Sequence, residues 1–582
     1  MVPARYIALD ALPLTASGKV NRRALPEQCA TDTAPTVVEA PRTVTERQLA
    51  SIWSEVLGVA SVGIRENFFD LGGHSLLATQ VTSRILRAFG VALPLKRLFE
   101  SPTIAQLAEA IDACSAAHPV AAIMPVARAA EMPCSYAQER LWFLSALEGE
   151  SATYNMPGAL RLTGALDVTA LERSLREIVR RHEVLRTRLV ERGGRVVQII
   201  ESGAELGLPL VDLSSRPDAH REAESRQWMQ SFVTRPFDLA RELPLRFALL
   251  KRGAAEHVLL IVMHHAAADG WSLGVLARET KALYAAYSRG EPSPLPDLAI
   301  QYADFATWQR ASVTDEAHRA HRDYWKAQLR GAPMRLELPM ARPRPAVQSF
   351  RGGTVAFSLD ADTAGRLRES ARRHEVTMYT LLLAAYAAML HRLSGRDDFV
   401  IAAPMASRTR PELEPLIGFF INLLPIRVQL GGRPTFAALM SALQATVLDA
   451  MAHEDLPFEK IVEDFAPERS LAGQTPLSEI VFVLQNWPRA PLELPGLTIA
   501  EEPYESFSSK YELSMSLDEI PEGVFGTLEY ATDLFDAATA GQMVDEYLRL
   551  LRTIVEMPDA QVTEAREQAR PVTSDDFSFQ ED

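Results

Sequence analysis

The sequence predicts a small all-α bundle of four short helices, followed by a larger α/β domain with two lobes. Over residues 44–113, apolar side chains recur at steps of three and four residues, the spacing of amphipathic helices. From about Pro133 onward, continuous apolar runs typical of buried strands alternate with helical stretches. This second region is longer than the roughly 300 residues that one hydrophobic core holds, so we expect two lobes.

The helices of the bundle carry individual signals. Thr43 and Glu46 are placed as a capping box before a helix with the apolar stripe Leu49, Ile52, Trp53, Val56 and Leu57. A second helix is expected over residues 75–89, where apolar residues recur at steps of four. A further helix is expected to begin with Ser101 as its N-cap and Pro102 at its first position, and to present inward Ile104, Leu107, Ala108 and Ile111.

In the larger region, the run HVLLIVM at residues 257–263 is apolar without alternation, which predicts a strand covered on both faces. Helices are expected over residues 273–287 and 377–393. We assign residues 132–305 to the N-terminal lobe and residues 306–560 to the C-terminal lobe. A cleft or tunnel between two such lobes is where a ligand is expected to bind.

The bundle, residues 44–113, is expected to lie between linkers at residues 31–43 and 114–131. Residues 31–42, TDTAPTVVEAPR, are rich in threonine, proline and small residues, a composition that disfavours regular structure. Residues 1–30 contain no periodic pattern long enough for a domain and look like the end of a larger one. The acidic segment 561–582 is expected to be a disordered tail, with a docking peptide for another protein as the alternative.

The composition excludes several classes of partner. A net charge of −15 and a pI near 5.4 argue against nucleic acid and anionic membranes, which require basic patches. The three cysteines, Cys29, Cys114 and Cys134, lack metal-ligand spacing and predict neither a disulfide framework nor a zinc site, so we expect a cytoplasmic protein. The N-terminus lacks a charged leader followed by an apolar stretch, and the most apolar segment, residues 381–390, is too short to span a bilayer.

The string LGGHSL at residues 71–76 predicts an attachment site. Two glycines allow a tight turn at the start of a helix, and Ser75 then stands in the first helical turn with a free hydroxyl. A phosphodiester at that position would face the unpaired N–H groups and the positive dipole end of the helix. A serine at a helix start is usually only an N-cap, so this prediction depends on the flanking NFFDLGG and the surrounding bundle.

The string MHHAAADGWS at residues 263–272 predicts a catalytic loop. Adjacent strand residues point to opposite faces, so His264 and His265 cannot both line one pocket if the strand stays regular. One of them should be structural, and the strand alone does not say which. Asp269 and Gly270 follow within the same segment. We expect no metal, because zinc would require a third ligand and two histidines on one face.

Taken together, the motifs resemble a nonribosomal peptide synthetase fragment. Residues 13–26, PLTASGKVNRRALP, resemble the last adenylation motif, with Lys19 as its lysine, and residues 67–80, NFFDLGGHSLLATQ, resemble the peptidyl carrier motif. The similarity to a condensation domain is spread over the strings SYAQERLWFL, RHEVLRTRL, MHHAAADGWS, YADFATW, IGFFINLLPIR and HEDLPFE. The resemblance implies that the larger domain has a chloramphenicol-acetyltransferase-like fold.

The resemblance also implies roles for individual residues. Ser75 would receive 4'-phosphopantetheine from a phosphopantetheinyl transferase. His265 would belong to the active centre, and Asp269 would pair with Arg408 to shape the loop. Other motif residues are expected to shape the core and tunnel: Arg140, Trp142, Tyr302, Asp304, Trp308, Asn422 and Pro457.

The implied reaction is attack by an amine on a thioester carbonyl, through an oxyanion, to give an amide. An α-amino group has a pKa of about 7.7 to 8.0, so its deprotonation costs only about 1 kcal/mol at pH 7. Holding the reactants in attack geometry can contribute about 7 to 11 kcal/mol, so positioning should dominate over general acid or base catalysis. We expect His265 to orient the amine and accept its proton, and the Gly270 N–H to donate to the oxyanion.

Three other functions are open to a chain of this kind. An epimerisation domain shares the fold and a similar double histidine, but AADGWS, YADFATW and IGFFINLLPIR look more like condensation. A heterocyclisation domain would carry aspartates in place of the histidines. A non-catalytic recruitment platform is disfavoured because both histidines and the Asp-Gly pair are present.

A carrier that precedes a condensation domain should lie on the donor side and deliver the upstream acyl or peptidyl group. The expected partners are an upstream adenylation domain, the phosphopantetheinyl transferase, and either a downstream acceptor carrier or a free amine. No adenylation or carrier sequence follows Asp582. We therefore expect a truncated chain, an acceptor supplied in trans, or a terminal domain that releases the peptide onto a free amine.

Overall fold

The structure, a computed structural model, describes residues 39–563 except 92, 115–121, 150, 204–205, 315, 317, 346–347, 466–475, 486–491 and 505–507. Residues 1–30 with Lys19, Cys29, most of the first linker, and the tail from residue 564 lie outside the described residues. Contacts divide the chain into two compact units: Met1–Gly73 with Ser101–Ser115, and His74–Glu100 with Ala116–Asp582.

The described α-helices are, in chain order, α1 (Val44–Leu57), α2 (Ser75–Phe89), α3 (Leu95–Glu100), α4 (Ile104–Ala113), α5 (Tyr136–Glu148), α6 (Val168–Arg181), α7 (Asp218–Thr234), α8 (Gly270–Tyr287), α9 (Tyr302–Ser312), α10 (Arg319–Gln328), α11 (Ala361–Arg373), α12 (Met378–Ser394), α13 (Phe436–Met451), α14 (Phe458–Phe465) and α15 (Ala537–Glu556). Short 3-10 helices span Glu183–Arg186 and Pro411–Leu413.

The described strands are β1 (Met132–Pro133), β2 (Asn155–Gly164), β3 (Thr187–Arg192), β4 (Arg195–Ile200), β5 (Leu210–Asp212), β6 (Leu245–Lys251), β7 (Glu256–His264), β8 (Gly352–Asp360), β9 (Asp398–Ala406), β10 (Ile421–Gln429), β11 (Ile480–Gln485), β12 (Leu497–Glu501), β13 (Leu513–Ile520) and β14 (Gly523–Ala531).

Helices α1 and α4 form the smaller unit, together with the loop that contains Phe68. The capping box of α1 is present, because the Thr43 side chain accepts from the Glu46 N–H and the Glu46 side chain accepts from the Thr43 N–H. The rings of Trp53 and Phe68 meet edge to face, with centroids 5.0 Å apart, inside the buried core of this unit. The predicted capping box is therefore confirmed.

The predicted start of α4 is wrong by two residues. Thr103, rather than Ser101, is the N-cap, and its side chain accepts from the Gln106 N–H. The reason is tertiary: the Pro102 carbonyl accepts from the Phe68 N–H at 2.8 Å, and Thr103 forms a β-bridge with Asn67. These contacts hold the preceding residues extended, so the helix begins after them. The predicted apolar face of α4 is buried as expected.

The larger unit contains two main sheets, one in each predicted lobe. The C-terminal sheet has the strand order β10-β9-β11-β13-β14-β8, and the N-terminal sheet has the order β12-β2-β7-β6-β5. Strand β12 comes from the C-terminal half of the sequence but pairs antiparallel with β2. The two lobes are thus interleaved along the chain.

Strand β7 confirms the predicted apolar run and lies in the middle of its sheet, between β2 and β6. Leu259 and Met263 pack into one core cluster, whereas Val258 and Leu260 pack into another on the opposite face. Helix α8 begins at Gly270, three residues earlier than predicted, because Asp269 caps it. This cap places the Asp-Gly pair at a helix start rather than in an open loop.

The apolar segment 381–390 is a buried part of α12, as predicted. Within the described residues, no single helix is long and apolar enough to cross a membrane; α11 and α12 pass such a test only as a pair, bent by 99°.

Candidate functional site

His265 lies immediately after β7, and its backbone N–H donates to the Tyr154 carbonyl at 2.9 Å. Its ring Nδ1 is 3.1 Å from the Ala268 carbonyl oxygen. Because a carbonyl can only accept, Nδ1 carries the proton and Nε2 presents a lone pair. The ring also meets Phe419 edge to face, with centroids 5.4 Å apart. The side chain is therefore fixed in one tautomer.

The pKa of His265 is well below its usual value. The causes are burial first, then the positive charges of Lys510 and Arg140, together with His264, opposed by the Ala268 hydrogen bond. The imidazole is therefore neutral at neutral pH, which is the form that can accept a proton. Its side chain is only half-buried, in contrast with the fully buried His264.

His264 points to different surroundings, as the strand alternation predicts. Its Nδ1 accepts from the Ala266 N–H at 3.1 Å, and its ring packs against Phe237 and Tyr154. Burial lowers the pKa of His264 to about 3, so this ring is also neutral. The two histidines lie in separate environments, and His264 is the one held in the core.

Asp269 and Arg408 form a buried ion pair between the end of β9 and the start of α8. Arg408 Nη2 donates to the two carboxylate oxygens of Asp269 at 3.0 and 3.3 Å, and both side chains are at most 1% exposed. The carboxylate also accepts from the Ser272 N–H and hydroxyl and from the Phe420 N–H, at 2.9, 2.7 and 3.1 Å. These bonds engage both oxygens.

The partners of Asp269 do not include His265, whose Nδ1 is held by a backbone carbonyl instead. Asp269 is the N-cap of α8, and it ties this helix to the segment around Phe420. Gly270 is the first helical residue, so its N–H is one of the first-turn donors that have no acceptor within the helix.

The segment around Phe419 is held by close packing. The Tyr302 hydroxyl donates to the Phe419 carbonyl at 2.7 Å and lies 2.9 Å from the Ser135 hydroxyl. A Cβ at Gly418 would lie 2.2 Å from the Tyr302 ring, so only glycine allows this approach. By its hydrogen bond to the Phe419 carbonyl, Tyr302 fixes the backbone of Phe419, whose ring packs on His265.

Ser75 is the first residue of α2, as predicted. The N-cap residue, His74, has an extended backbone, and the first-turn N–H groups that follow it have no acceptor within the helix itself. In the smaller unit, a Cβ at Gly73 would lie 2.3 Å from the Phe68 ring, which requires glycine in the preceding turn. A helix start of this kind fits a phosphodiester-linked arm.

Helices α2 and α3 group with the larger unit, where they make charged contacts. Arg84 donates from both terminal nitrogens to Glu414, at 2.9 and 3.1 Å, and both side chains are 19% exposed. Lys96 contacts Asp449 at 3.2 Å in a more exposed pair. The backbone carbonyl of Glu414 accepts from the Trp271 indole at 2.9 Å, next to the start of α8.

A cavity of about 560 Å³ begins beside α2. Thr79, Thr82, Ser83 and Leu86 line it from this helix. The first three share a helical face with position 75, from which they are four, seven and eight residues away. The cavity continues between the lobes to Phe419, the residue whose ring packs on His265. The lining therefore reaches from the helix of Ser75 to the neighbour of His265.

Three other motif residues make contacts of their own, and of these Asn422 lines the cavity. Asn422 donates to the carbonyls of Glu454 and Leu456, at 2.8 and 2.9 Å, and its own amide oxygen accepts from the Phe458 N–H. Arg140 pairs with Glu459 at 3.3 Å. Asp304 is buried and pairs with Arg128. Among the described residues, no group of three metal-ligating side chains could hold a metal ion.

Two residues of the site were missed by sequence reasoning. Lys510 lies 6.0 Å from the Tyr154 ring centroid, and its charge acts on both histidines. Glu454 lines the cavity. Lys510 has no local signal, because a single lysine near an element boundary usually belongs to a solvated surface. Glu454 belongs to the string HEDLPFE, but the string alone assigns no role to this glutamate.

Comparisons with known proteins identify the family of this chain. The model of the family "Condensation domain" matches residues 128–568, and that of "Phosphopantetheine attachment site" matches residues 47–111. Two of the linear gramicidin synthase proteins of Brevibacillus parabrevis are 42% and 43% identical over 96% and 99% of this chain. The chain spans only 11% and 7% of their respective lengths.

A solved structure of similar fold is the X-domain from teicoplanin biosynthesis in complex with OxyB. It superimposes with a TM-score of 0.70 at 32% identity, covering 78% of this chain and 99% of the X-domain chain. The attachment-site match precedes the condensation match along the sequence, and the gramicidin synthase relatives align across both. The chain therefore belongs to the condensation domain family, with a phosphopantetheine attachment domain directly before the condensation domain, as in nonribosomal peptide synthetases.

Proposed function

We propose that this chain forms an amide bond by transferring an acyl or peptidyl group from a thioester on its own carrier domain to an acceptor amine. The observation that carries the proposal is His265: a neutral imidazole with its Nδ1 proton fixed by Ala268, packed on Phe419, a residue that lines the cavity. Its Nε2 carries the lone pair that would accept a proton from the attacking amine.

Ser75 is the proposed attachment residue. When bound, 4'-phosphopantetheine supplies the thiol that holds the donor group as a thioester. The start of α2 would hold the phosphodiester by its N–H groups and dipole. The face of α2 with Thr79 and Thr82 would direct the arm into the cavity.

The chain's own groups have distinct tasks in this proposal. His265 orients the amine and accepts its proton at Nε2 as the new C–N bond forms and the C–S bond breaks; the proton then passes to the thiolate that leaves. The Gly270 N–H donates to the oxyanion at the carbonyl carbon. Asp269 and Arg408 position both groups, because their pair fixes the start of α8 against the Phe419 segment.

The experiment begins with the attachment step. A phosphopantetheinyl transferase should add the mass of one arm to the intact chain and add nothing to Ser75→Ala. The same addition to both chains, or to neither, would remove Ser75 from the proposal. Intact-protein mass spectrometry gives the answer without any condensation activity.

The second step tests the reaction. The pantetheinylated chain is loaded with a donor thioester and mixed with a panel of amines, both free and attached to a carrier in trans. Amide product that depends on His265 supports condensation. Product with free amines alone identifies a terminal domain, and product only with a carrier-bound amine identifies an acceptor carrier as the partner.

Two other outcomes would favour other functions. Loss of α-deuterium from the loaded donor without amide product would identify epimerisation. The absence of both amide product and deuterium washout would favour a recruitment platform; the similar X-domain was solved in complex with OxyB. An upstream adenylation domain is the proposed source of the donor residue, and the cytoplasm is the proposed compartment, in keeping with the cysteine usage.

A further inference from the structure

Glu454 is an acidic side chain in the wall of the cavity that is lined by residues of α2 and by Phe419. It follows α13, and its position is fixed from two directions. Its backbone carbonyl accepts from the Asn422 side chain at 2.8 Å, and its carboxylate accepts from the Ser407 hydroxyl at 3.3 Å. The carboxyl group therefore stands at a defined place in the cavity rather than on a flexible surface.

The surroundings disfavour the charged form of this carboxyl group. Burial, followed by the negative charge of Asp455, raises the pKa of Glu454 to about 8, and the Ser407 hydrogen bond opposes the rise only in part. The other charged or titratable side chains of the wall are Asp455, Glu459, His318 and Arg410. Of these, Glu459 pairs with Arg140, and Arg410 lies 3.8 Å from Glu412.

We propose that the neutral Glu454 carboxyl binds the pantetheine arm, donating its O–H to an amide carbonyl and accepting an amide N–H of the arm. This inference rests on the proposed function, since it requires the arm to enter this cavity. It assigns to Glu454 a ligand class, the secondary amide, and a protonation state. It adds a positioning residue outside the group around His265.

The chemistry of the arm matches such a group. The part of the arm beyond the phosphodiester is uncharged and contains two secondary amides, each with one donor and one acceptor. An ionised carboxylate could accept but not donate, and it would be costly to enclose beside neutral groups. A neutral carboxyl offers both a donor and an acceptor, so it can satisfy one amide on both sides.

The test measures how well the cavity shelters the arm, without using condensation activity. The thiol of the pantetheinylated chain is alkylated with a maleimide, and its rate is divided by that of free pantetheine at the same pH. At pH 7 the parent thiol should react more slowly than free pantetheine. Glu454→Gln keeps a hydrogen-bond donor and an acceptor, so its thiol should be alkylated as slowly as that of the parent. Glu454→Ala should react about three- to tenfold faster than the parent, the effect of losing one or two hydrogen bonds.

The pH dependence separates binding from mere packing. Parent protection should weaken above about pH 8, where Glu454 ionises and loses its O–H, whereas protection in Glu454→Gln should not change with pH. Asp455→Asn is the matched control: removal of its charge should move the parent's loss of protection to lower pH. Thermal unfolding checks that each variant is folded.

The outcomes distinguish the two proposals. If the parent thiol reacts as fast as free pantetheine, the arm does not enter the cavity. The proposed function is then wrong about the path by which the arm delivers the donor group. If the parent is protected and Glu454→Ala is equally protected, only the assignment of Glu454 is wrong. That assignment is also wrong if parent and Glu454→Gln lose protection at the same alkaline pH.

Discussion

Arg408 and Asp269 meet across 139 residues of sequence, with Nη2 of the arginine 3.0 and 3.3 Å from the two carboxylate oxygens. The same guanidinium donates from Nη1 to the carbonyls of Leu413 and Leu416 and stacks 4.1 Å over the Phe420 ring. One arginine thus connects the cap of α8 to the segment that carries Phe419. The geometry around His265 depends on this connection.

Asp269→Ala should therefore destabilise the protein. Removing one partner leaves the Arg408 charge buried without compensation, which commonly costs about 3 to 5 kcal/mol. Urea unfolding measures the loss in the free energy of unfolding. The control is Glu172→Gln, whose pair with Arg176 is more exposed and should contribute about 1 kcal/mol or less. Equal effects of the two substitutions would contradict the structural role of Asp269.

His265→Ala should lose rate and keep stability. His265 is expected to orient the amine and to accept its proton, and acid–base groups typically raise a rate by about 10²- to 10⁴-fold. The rate of single-turnover amide formation should therefore fall by about that factor. His264→Ala is the matched control: it removes a ring packed on Phe237 and Tyr154 and should lower the free energy of unfolding by about 1 to 3 kcal/mol. Full turnover by His265→Ala would refute its assignment.

Lys510→Met should shift the pH profile of the reaction. After burial, the charge of Lys510 is the next cause that holds the pKa of His265 below its usual value. Because His265 accepts a proton only when neutral, activity falls as the pH drops through that pKa. Removal of Lys510 raises the pKa, so the acid limb should move to higher pH.

That limb is best measured with a weakly basic amine as acceptor, so that titration of the acceptor does not mask it. Lys460→Met is the control, because Lys460 pairs with Glu463 at 2.7 Å and is not among the causes of the His265 shift. An acid limb that stays in place in Lys510→Met would show that the charge of Lys510 does not contribute to the low pKa of His265.

Charge reversal at Arg84 should slow transfer from the tethered donor. The bidentate contact between Arg84 and Glu414 is part-buried. Its removal should cost about 1 to 2 kcal/mol, which corresponds to about a 5- to 30-fold change in the rate of transfer. Arg84→Glu should lower the rate by that factor, and the added Glu414→Arg should restore much of it. The rate of transfer from a freely diffusing thioester donor should not change in either variant.

Reversal of the more exposed pair, Lys96→Glu, should have a smaller effect and a stronger salt dependence. If Arg84→Glu slowed transfer from the free donor as much as transfer from the tethered donor, the contact would act on the active centre rather than on the placement of the tethered arm.

Local sequence was sufficient for several elements. The capping box of Thr43 and Glu46, the bounds of α2 with Ser75 first, and the buried strand that ends at His264 follow from spacing and composition alone. The alternation of strand residues also predicts that His264 and His265 occupy different environments. These features depend on neighbours within about one helical turn or one strand, so the sequence contains all the partners needed.

Other features depend on partners that are distant in sequence. The N-cap of α4 is Thr103 because Asn67 and Phe68 hold the preceding residues extended. Strand β12 joins the sheet of β2, and no local pattern indicates a partner more than 300 residues away. The pair of Asp269 with Arg408 was expected only by resemblance to a family, since charge alone does not select one arginine among many.

The sequence by itself determined the order of domains, the helix that begins at Ser75 and the strand that delivers His265. Only the tertiary structure decided which histidine faces Phe419, which groups surround the cavity and how Lys510 and Glu454 act there. The physical reason is that caps and periodicity are short-range, whereas burial and electrostatic fields sum over atoms that folding brings together from the whole chain.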